Sequence, residues 1–357
     1  MADNIIHTDD WNTIFRKIPA TINDHTYEIM SSSNSYVDID NYMVLKSRLA
    51  TLMKDIGDFE YINYATGDQA IINAITLSKK YLNVKDIYVI KEAFHGITLR
   101  SFRFGILNFE DISISEIELN NLETAVEICS NNSLLILEPF LFFAKYGKYG
   151  IAKIKSVVSK AKQNKILVLF DEVRSGIFCT GTFLFTQQLL PVDIDFVCFS
   201  KGLALGVATS VLAMKTGIFS KDIMKKEDKL KSCMSISEVA IQRSNDLLEY
   251  YMNNHEVFEK SLFSMTEKIV GYFSFFANFS IVKQVNIIGL CCIFVFEENV
   301  KKGKLRLLRQ LMLSKSIAVR DIEDNLLFLN FALDSTDKEL YIVKHTMEEA
   351  IKLVENY

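Results

Sequence analysis

Proline is scarce, with three in 357 residues. No proline-rich spacer can therefore separate domains, and the expectation is that a helix joins them. The six cysteines (Cys129, Cys179, Cys198, Cys233, Cys291 and Cys292) include no Cys-x-x-Cys, and several lie in apolar runs. That usage excludes a disulfide framework or a zinc site and points to buried, reduced thiols. Long apolar runs are missing too. Gly202–Met214 is among the longest uncharged stretches, short of the ~18 residues a membrane span needs. The acidic opening, Met-Ala-Asp-Asn, has no signal-peptide pattern. Nor is there a dense basic stretch. Forty basic against 44 acidic residues leave a net charge of −4, and the lysines between 221 and 231 alternate with Asp222, Glu227 and Asp228. Such mixed charge is a solvated helix face, not a nucleic-acid stripe. A soluble cytoplasmic protein is expected, with no membrane or nucleic-acid partner.

What the chain has is apolar mass, 49% of its residues, enough for one large domain with a smaller appendage or for two domains. The first 40 or so residues are polar and weakly periodic, which suggests irregular structure. Apolar spacing predicts helices over 41–55 and 70–81, a strand over Asp86–Ile90, a loop at Phe94-His95-Gly96, a helix over 120–130 and a strand over Ser133–Leu137. A helix over Ile151–Asn164, a strand ending at Asp171, a strand over Phe196–Ser200 and another over Val207–Met214 follow. Alternating strands and helices from about 60 to 215 mean a mostly parallel sheet covered on both faces. From about 236 the texture changes. A long helical stretch (236–268), a strand-like run (Val285–Phe296), a helix near 304–314, strands near 317–320 and 326–333, and a last helix over 338–355 read as an α+β domain. The expected boundaries are an N-terminal segment 1–44, a large domain 45–235 and a small domain 236–357.

Two apolar runs carry the chemistry. Ile166–Phe170 ends in Asp171, and Phe196–Phe199 ends in Ser200-Lys201-Gly202. Runs of this kind are strands buried on both faces, and in open α/β sheets ligands sit beyond their carboxyl ends. Neighbouring strand ends would offer one carboxylate and one amine to a common ligand. Pyridoxal 5′-phosphate needs that pair, an anion for its pyridinium nitrogen and a lysine for a Schiff base. Other readings stand beside this one. Lys201 alone is a surface lysine, and Asp171 alone is a helix cap or a metal ligand. Asp171-Glu172 after an apolar strand also suits magnesium, but the Gly-Lys-Ser/Thr phosphate loop of that motif is missing. His95 alone is a cap or core histidine, Phe94 core packing and Gly67 a turn glycine. His255-Glu256 lacks the second histidine of a zinc protease.

The ordered series Gly67-Asp68-Gln69-Ala70, Phe94-His95-Gly96, Glu138-Pro139, Asp171-Glu172-Val173, Thr180-Gly181 and Ser200-Lys201-Gly202 resembles the class III (ornithine/ω-amino acid type) aminotransferases. These are fold-type I pyridoxal phosphate enzymes. The resemblance covers roughly residues 45–245, and no single piece is diagnostic. It implies an α/β fold, with a large domain built on a mostly parallel sheet and a smaller α+β C-terminal domain, in a homodimer. It implies that Lys201 is the Schiff-base lysine and proton carrier and that Asp171 pairs with the pyridinium nitrogen. Val173 would pack on one ring face, Phe94 on the other with His95 beside it. Gly67 and Asp68 would give backbone N–H groups to the phosphate at a helix start, and Glu138 would sit near the ring and position substrate.

The chain departs from that pattern in four places. The N-terminal segment looks short and lacks the family's glycine-rich stretch. Cys179 stands where the family has an arginine, and Arg174 follows Asp-Glu-Val. The partner-subunit threonine that binds phosphate has no match, leaving Ser232 or Ser235 to supply a hydroxyl. Phe328 stands where an arginine grips the substrate carboxylate, which makes the substrate unusual or hands the task to Arg320 or Arg174. The expected function is a pyridoxal phosphate-dependent aminotransferase moving an amino group between an amine or amino acid and a carbonyl compound. An aminomutase, racemase or decarboxylase with the same apparatus, or a non-catalytic scaffold that kept the fold, are the alternatives.

Overall fold

The computed structural model describes residues 6–8, 14–15, 38–103, 112–232, 237–319 and 325–356, with backbone only at 102–103 and 228–232. Among them, in chain order, are β1 (Ile6–His7), α1 (Ile39–Met53), β2 (Phe59–Tyr64), α2 (Gly67–Leu82), β3 (Asp86–Ile90), α3 (Ile97–Arg103), β4 (Ser113–Ile117), α4 (Leu122–Ile128) and β5 (Leu134–Leu137). Then come α5 (Pro139–Tyr146), α6 (Lys148–Gln163), β6 (Leu167–Glu172), β7 (Phe196–Phe199), β8 (Ser210–Lys215), α7 (Lys221–Ser232) and α8 (Glu238–Phe273). β9 (Val282–Ile288), β10 (Cys291–Phe296), α9 (Lys302–Ser314), β11 (Ile317–Ala318), β12 (Leu326–Asn330) and α10 (Asp337–Asn356) complete it.

Seven strands form the larger sheet, in the order β2-β8-β7-β6-β5-β3-β4. The five from β7 to β4 run parallel, while β8 is antiparallel to both its neighbours. Along β5, β6 and β7 almost every side chain is buried, as a strand covered on both faces requires. Alternation assigns the faces. Leu135, Leu137, Val168, Phe170, Val197 and Phe199 join one apolar cluster, and Leu134, Ile136, Leu169, Phe196 and Cys198 join the other, together with Ala70, Ile71 and Ala74 of α2. By that same period of two, Asp171 leaves β6 on the α2 side and Glu172 on the opposite side.

A second sheet, ordered β12-β10-β9, is fully antiparallel. Helices α9 and α10, the end of α8 and the 3₁₀ turn after it (Ser274–Asn278) share its apolar cluster through Phe273, Phe276, Leu308, Met312, Val343 and Met347. Removing each such large side chain from water contributes about 1.5–3 kcal/mol. The result is the expected α/β arrangement with a smaller C-terminal α+β unit.

Three local expectations change. The run read as one strand, 285–296, is a hairpin, because Gly289 takes a left-handed φ of 54° and turns the chain between β9 and β10. The strand expected from Val207 begins at Ser210, after a turn through Leu205 (φ 48°) and Gly206 (φ 94°). The helix α5 was not foreseen: six of its eight residues are buried, and it has no polar face to generate a helical period. Most of the first 40 residues lie outside those described.

Candidate active site

Strands β5, β6 and β7 are consecutive in the large sheet. Their carboxyl ends therefore deliver Glu138, Asp171 and Lys201 to one edge, with Asp171 level with Cys198 on β7. This is the edge where a parallel sheet presents ligand-binding groups.

Asp171 is 4% exposed. Its Oδ2 lies 2.8 Å from His95 Nδ1, and its Oδ1 accepts from Val173 N–H at 3.1 Å. An ionised carboxylate can only accept, so His95 carries its proton on Nδ1. His95 is 1% exposed and its Nε2 has no hydrogen-bond partner in the structure. The burial of Cys198, and the charge of Asp171 near it, push the Cys198 thiol up. It is thus a protonated packing residue and no nucleophile.

Lys201 opens a short 3₁₀ turn with a φ of 42°, directly after β7. A left-handed lysine is sparsely populated backbone, tolerated where surroundings impose it. Gly202 behind it could not carry a side chain comfortably, since a Cβ there would meet Ile177 Cβ at 3.2 Å. The turn is thereby wedged against the segment that follows β6.

Thr66 caps α2. Its side chain accepts from Gln69 N–H at 3.2 Å, and Gln69 Oε1 accepts in return from Ala65 N–H at 3.2 Å. This reciprocal pair leaves Gly67 and Asp68 N–H as first-turn donors with no acceptor inside the helix. A Cβ on Gly67 would fall 2.5 Å from Val173 Cγ2, so the bare backbone lies against Val173. The Asp68 side chain has a task that the sequence did not show. It accepts from Thr98 N–H at 3.1 Å and from the Thr98 hydroxyl, tying the Phe94-His95-Gly96 turn to α2. Gly96 (φ 95°) completes that clamp, because a Cβ there would sit 2.0 Å from Asp68 Oδ1. Phe94 is 55% exposed.

Glu138 is buried but not solitary. Arg174 Nη2 lies 2.5 Å from its Oε1. Glu172, next to Asp171 in sequence, points into the other face. Its oxygens accept from Phe185 N–H at 2.6 Å, Thr186 N–H at 2.7 Å, the Thr186 hydroxyl and Ser175 Oγ at 3.3 Å. Glu172 is therefore a structural carboxylate, and Asp171-Glu172 does not offer two acids to one metal ion.

Of the residues singled out in the sequence, Gly67, Asp68, His95, Asp171 and Val173 are joined by direct contacts, and Glu138 and Lys201 end the adjacent strands. Ser232 closes α7 with its side chain outside those described, as are Ser235 and Arg320 altogether. Two features had no sequence signal. One is the Glu138–Arg174 pair; the other is a buried cluster in which Cys179 Sγ lies 3.3 Å from Cys291 Sγ and 3.0 Å from Asn330 Oδ1.

No family model matches the chain. Among curated proteins it is 26% identical over 208 residues to the acetylornithine aminotransferase of Methanothermobacter thermautotrophicus, covering 53% of this chain and 50% of that protein. It is 30% identical over 129 residues to the adenosylmethionine-8-amino-7-oxononanoate aminotransferase of Helicobacter pylori, covering 35% of this chain and 28% of that protein. The chain thus spans about half or less of the length of these relatives. Among solved structures, an S-selective transaminase from Arthrobacter sp. with alanine bound superposes over 99% of this chain and 89% of its own, with a TM-score of 0.79 at 16% identity. A phospholyase from Arthrobacter in complex with phosphoethanolamine covers 98% of this chain and 90% of its own, with a TM-score of 0.76 at 14% identity. The fold is that of the fold-type I transaminases. Sequence and structure comparisons both lead to aminotransferases, the proteins that the ordered motifs resemble.

Proposed function

We propose that this protein is a pyridoxal phosphate-dependent aminotransferase of class III type, moving an amino group between an amine or amino acid and a carbonyl compound. The observation that carries the reading is the buried Asp171 carboxylate held by His95, one strand away from Lys201. The residues present fit the cofactor. A carboxylate out of water suits a pyridinium proton, His95 Nε2 is a buried polar atom awaiting a partner, and Gly67 offers bare backbone where a Cβ would clash.

Once bound, the cofactor supplies an aldehyde that takes up the amino group and a ring that accepts electron density. The chain supplies the rest. Asp171 would hold the proton on the ring nitrogen, and His95 would fix the carboxylate's orientation. Gly67 and Asp68 N–H, with the positive end of α2, would bind the phosphate. Val173 would pack against one side of the ring and Phe94 against the other. Lys201 would hold the cofactor through its aldehyde, and its amine would carry the proton at the substrate α-carbon. Glu138 would sit near the ring and help position substrate. Ser232 from a second copy would supply a phosphate hydroxyl. A homodimer would also cover Phe94 and Ile97, which are 55% and 73% exposed. The described cysteines are unpaired thiols, which suits the cytoplasm.

The Arthrobacter phospholyase has the same fold, which favours keeping other pyridoxal phosphate chemistry as the second reading. One experiment separates the two. Purified protein is loaded with pyridoxal phosphate and given an amino donor with no acceptor. Loss of the yellow band, with the amine form of the cofactor appearing, supports transamination. Turnover with an unchanged band supports the second reading, and a protein that takes up no cofactor supports a scaffold.

A further inference from the structure

Helix α7 begins with Lys221, and Lys225 lies one turn on, so the two share a helix face. Like charges at this spacing repel each other, and a cation in the first turn opposes the helix dipole. Neither lysine makes an ion pair among the described residues. Both line a cavity of about 200 Å³, together with Lys46 of α1, Glu60 and Tyr61 of β2, and Met224. Lys46 Nζ lies 4.4 Å from the centre of the Tyr42 ring. Three ammonium groups and one carboxylate therefore border one small space, an arrangement that an anion would relieve.

Tyr61 separates this cavity from an ordinary solvated lysine face. The residue is 5% exposed, but its hydroxyl makes no hydrogen bond among the described residues. Buried phenols normally have a partner, and one without it costs free energy. Burial, with the charges of Asp58 and Glu60, pushes the Tyr61 phenol well above its usual range. It is thus a donor lacking an acceptor. The backbone adds another. β2 is the end strand of its sheet, and Asn63 N–H turns away from β8 to the Tyr42 hydroxyl at 3.4 Å. By the alternation of an antiparallel ladder, Tyr61 N–H, two residues earlier, also faces away from β8. The space equals the share of roughly six water molecules, room for one or two phosphate groups and less than the ~300 Å³ of pockets that enclose a whole cofactor. Lysines bind phosphate as point charges and need no planar fork. Tyr61 comes before the carboxyl end of β2 at Tyr64, ~10 Å back along the strand. The cavity is therefore distinct from the edge that carries Asp171 and Lys201.

We propose that this cavity binds a small phosphate-bearing anion, with Lys46, Lys221 and Lys225 as its cations and the Tyr61 hydroxyl as its hydrogen-bond donor. The site goes beyond the aminotransferase reading and does not depend on it. An anion there ties the first turn of α7 to α1 and to the open edge of β2.

The test uses the full chain in phosphate-free buffer, loaded with pyridoxal phosphate and then freed of excess, so that the proposed cofactor site is filled. Pyrophosphate is titrated by calorimetry at fixed ionic strength, with inorganic phosphate in a parallel run. Saturable binding of one pyrophosphate per chain is expected. Replacing both α7 lysines, Lys221→Gln with Lys225→Gln, should weaken it by roughly 10- to 100-fold, and Tyr61→Phe by about 10-fold. Glu60→Gln should tighten it. Lys226→Gln removes the same charge from α7 outside the cavity and should leave the affinity unchanged. Absence of saturable binding with either probe overturns the inference. So does an affinity unchanged in the lysine pair or in Tyr61→Phe, or an equal loss in Lys226→Gln, which marks general charge attraction. Release of the yellow cofactor by pyrophosphate places the anion at the cofactor site and overturns the inference too. A wild type that takes up no cofactor counts against the aminotransferase reading alone, and the same variants then decide the pyrophosphate site.

Discussion

His95 Nδ1 and Asp171 Oδ2 are 2.8 Å apart, with side chains 0% and 5% exposed. The contact ties the turn after β3 to the end of β6, across the intervening β5. A carboxylate here would be costly without a partner, and the imidazole N–H and the Val173 N–H provide two donors. Asp171→Asn keeps the size and loses the charge. The expected result is a fall of ~10²–10⁴-fold in the half-reaction with donor, read by stopped-flow absorbance, with the fold intact. His95→Asn leaves Asp171 charged but loosely held and should cost less than Asp171→Asn.

Gly96 and Gly206 have nearly the same left-handed φ, 95° and 94°, but different surroundings. A Cβ on Gly96 would strike Asp68 Oδ1, and one on Gly206 meets nothing within 4 Å. Gly206→Ala should cost only backbone strain, about 1 kcal/mol, while Gly96→Ala adds the broken Asp68 clamp for about 2–3 kcal/mol in urea unfolding. Gly96→Ala should also weaken cofactor affinity.

Burial pushes the Glu172 carboxyl up to about 7 from an ordinary 4.5, against hydrogen bonds from Thr186, Phe185 and Ser175 that lower it. The folded state thus holds this proton more tightly than the unfolded chain does. The group's contribution to stability is full below pH 4.5, falls as pH rises, and is gone above about 7. Unfolding free energies at pH 5 and 8 should show a loss on the order of 3 kcal/mol from this group. That loss should vanish in Glu172→Gln, which is also less stable at both pH values because the amide nitrogen cannot accept from whichever of Phe185 and Thr186 it faces.

Phe294, fully buried on β10, has ring centres of Phe276 at 5.4 Å and Phe273 at 6.5 Å. Phe294→Ala should destabilise by about 3–5 kcal/mol in denaturant melts. The visible cofactor band should survive at low temperature, since β10 contributes no group to the proposed cofactor contacts.

The strand ends at Asp171 and Lys201 were legible because buried parallel strands announce themselves as short apolar runs closed by a charge. The helices α2 and α10 were legible from their amphipathic period. What could not be read was anything set by register between distant elements. Arg174 and Glu138 are partners only because β5 and β6 are neighbours, and Arg174 meets Phe328 only because the two sheets meet there. Asp68 was read as a backbone donor, and its side chain's bond to Thr98 depends on where α2 meets the turn before α3. The β9–β10 hairpin was hidden by apolar residues running through Ile287–Cys292, with one glycine marking the turn. Helix α5 was hidden by burial all round.

The central claim is that Lys201 holds pyridoxal phosphate beside Asp171. Borohydride reduction of the loaded protein, followed by peptide mapping by mass spectrometry, tests it most directly. The account predicts a single pyridoxyl phosphate modification, on the peptide containing Lys201, absent in Lys201→Ala. A modification on another lysine, or none on a protein that has been shown to be folded, would contradict it.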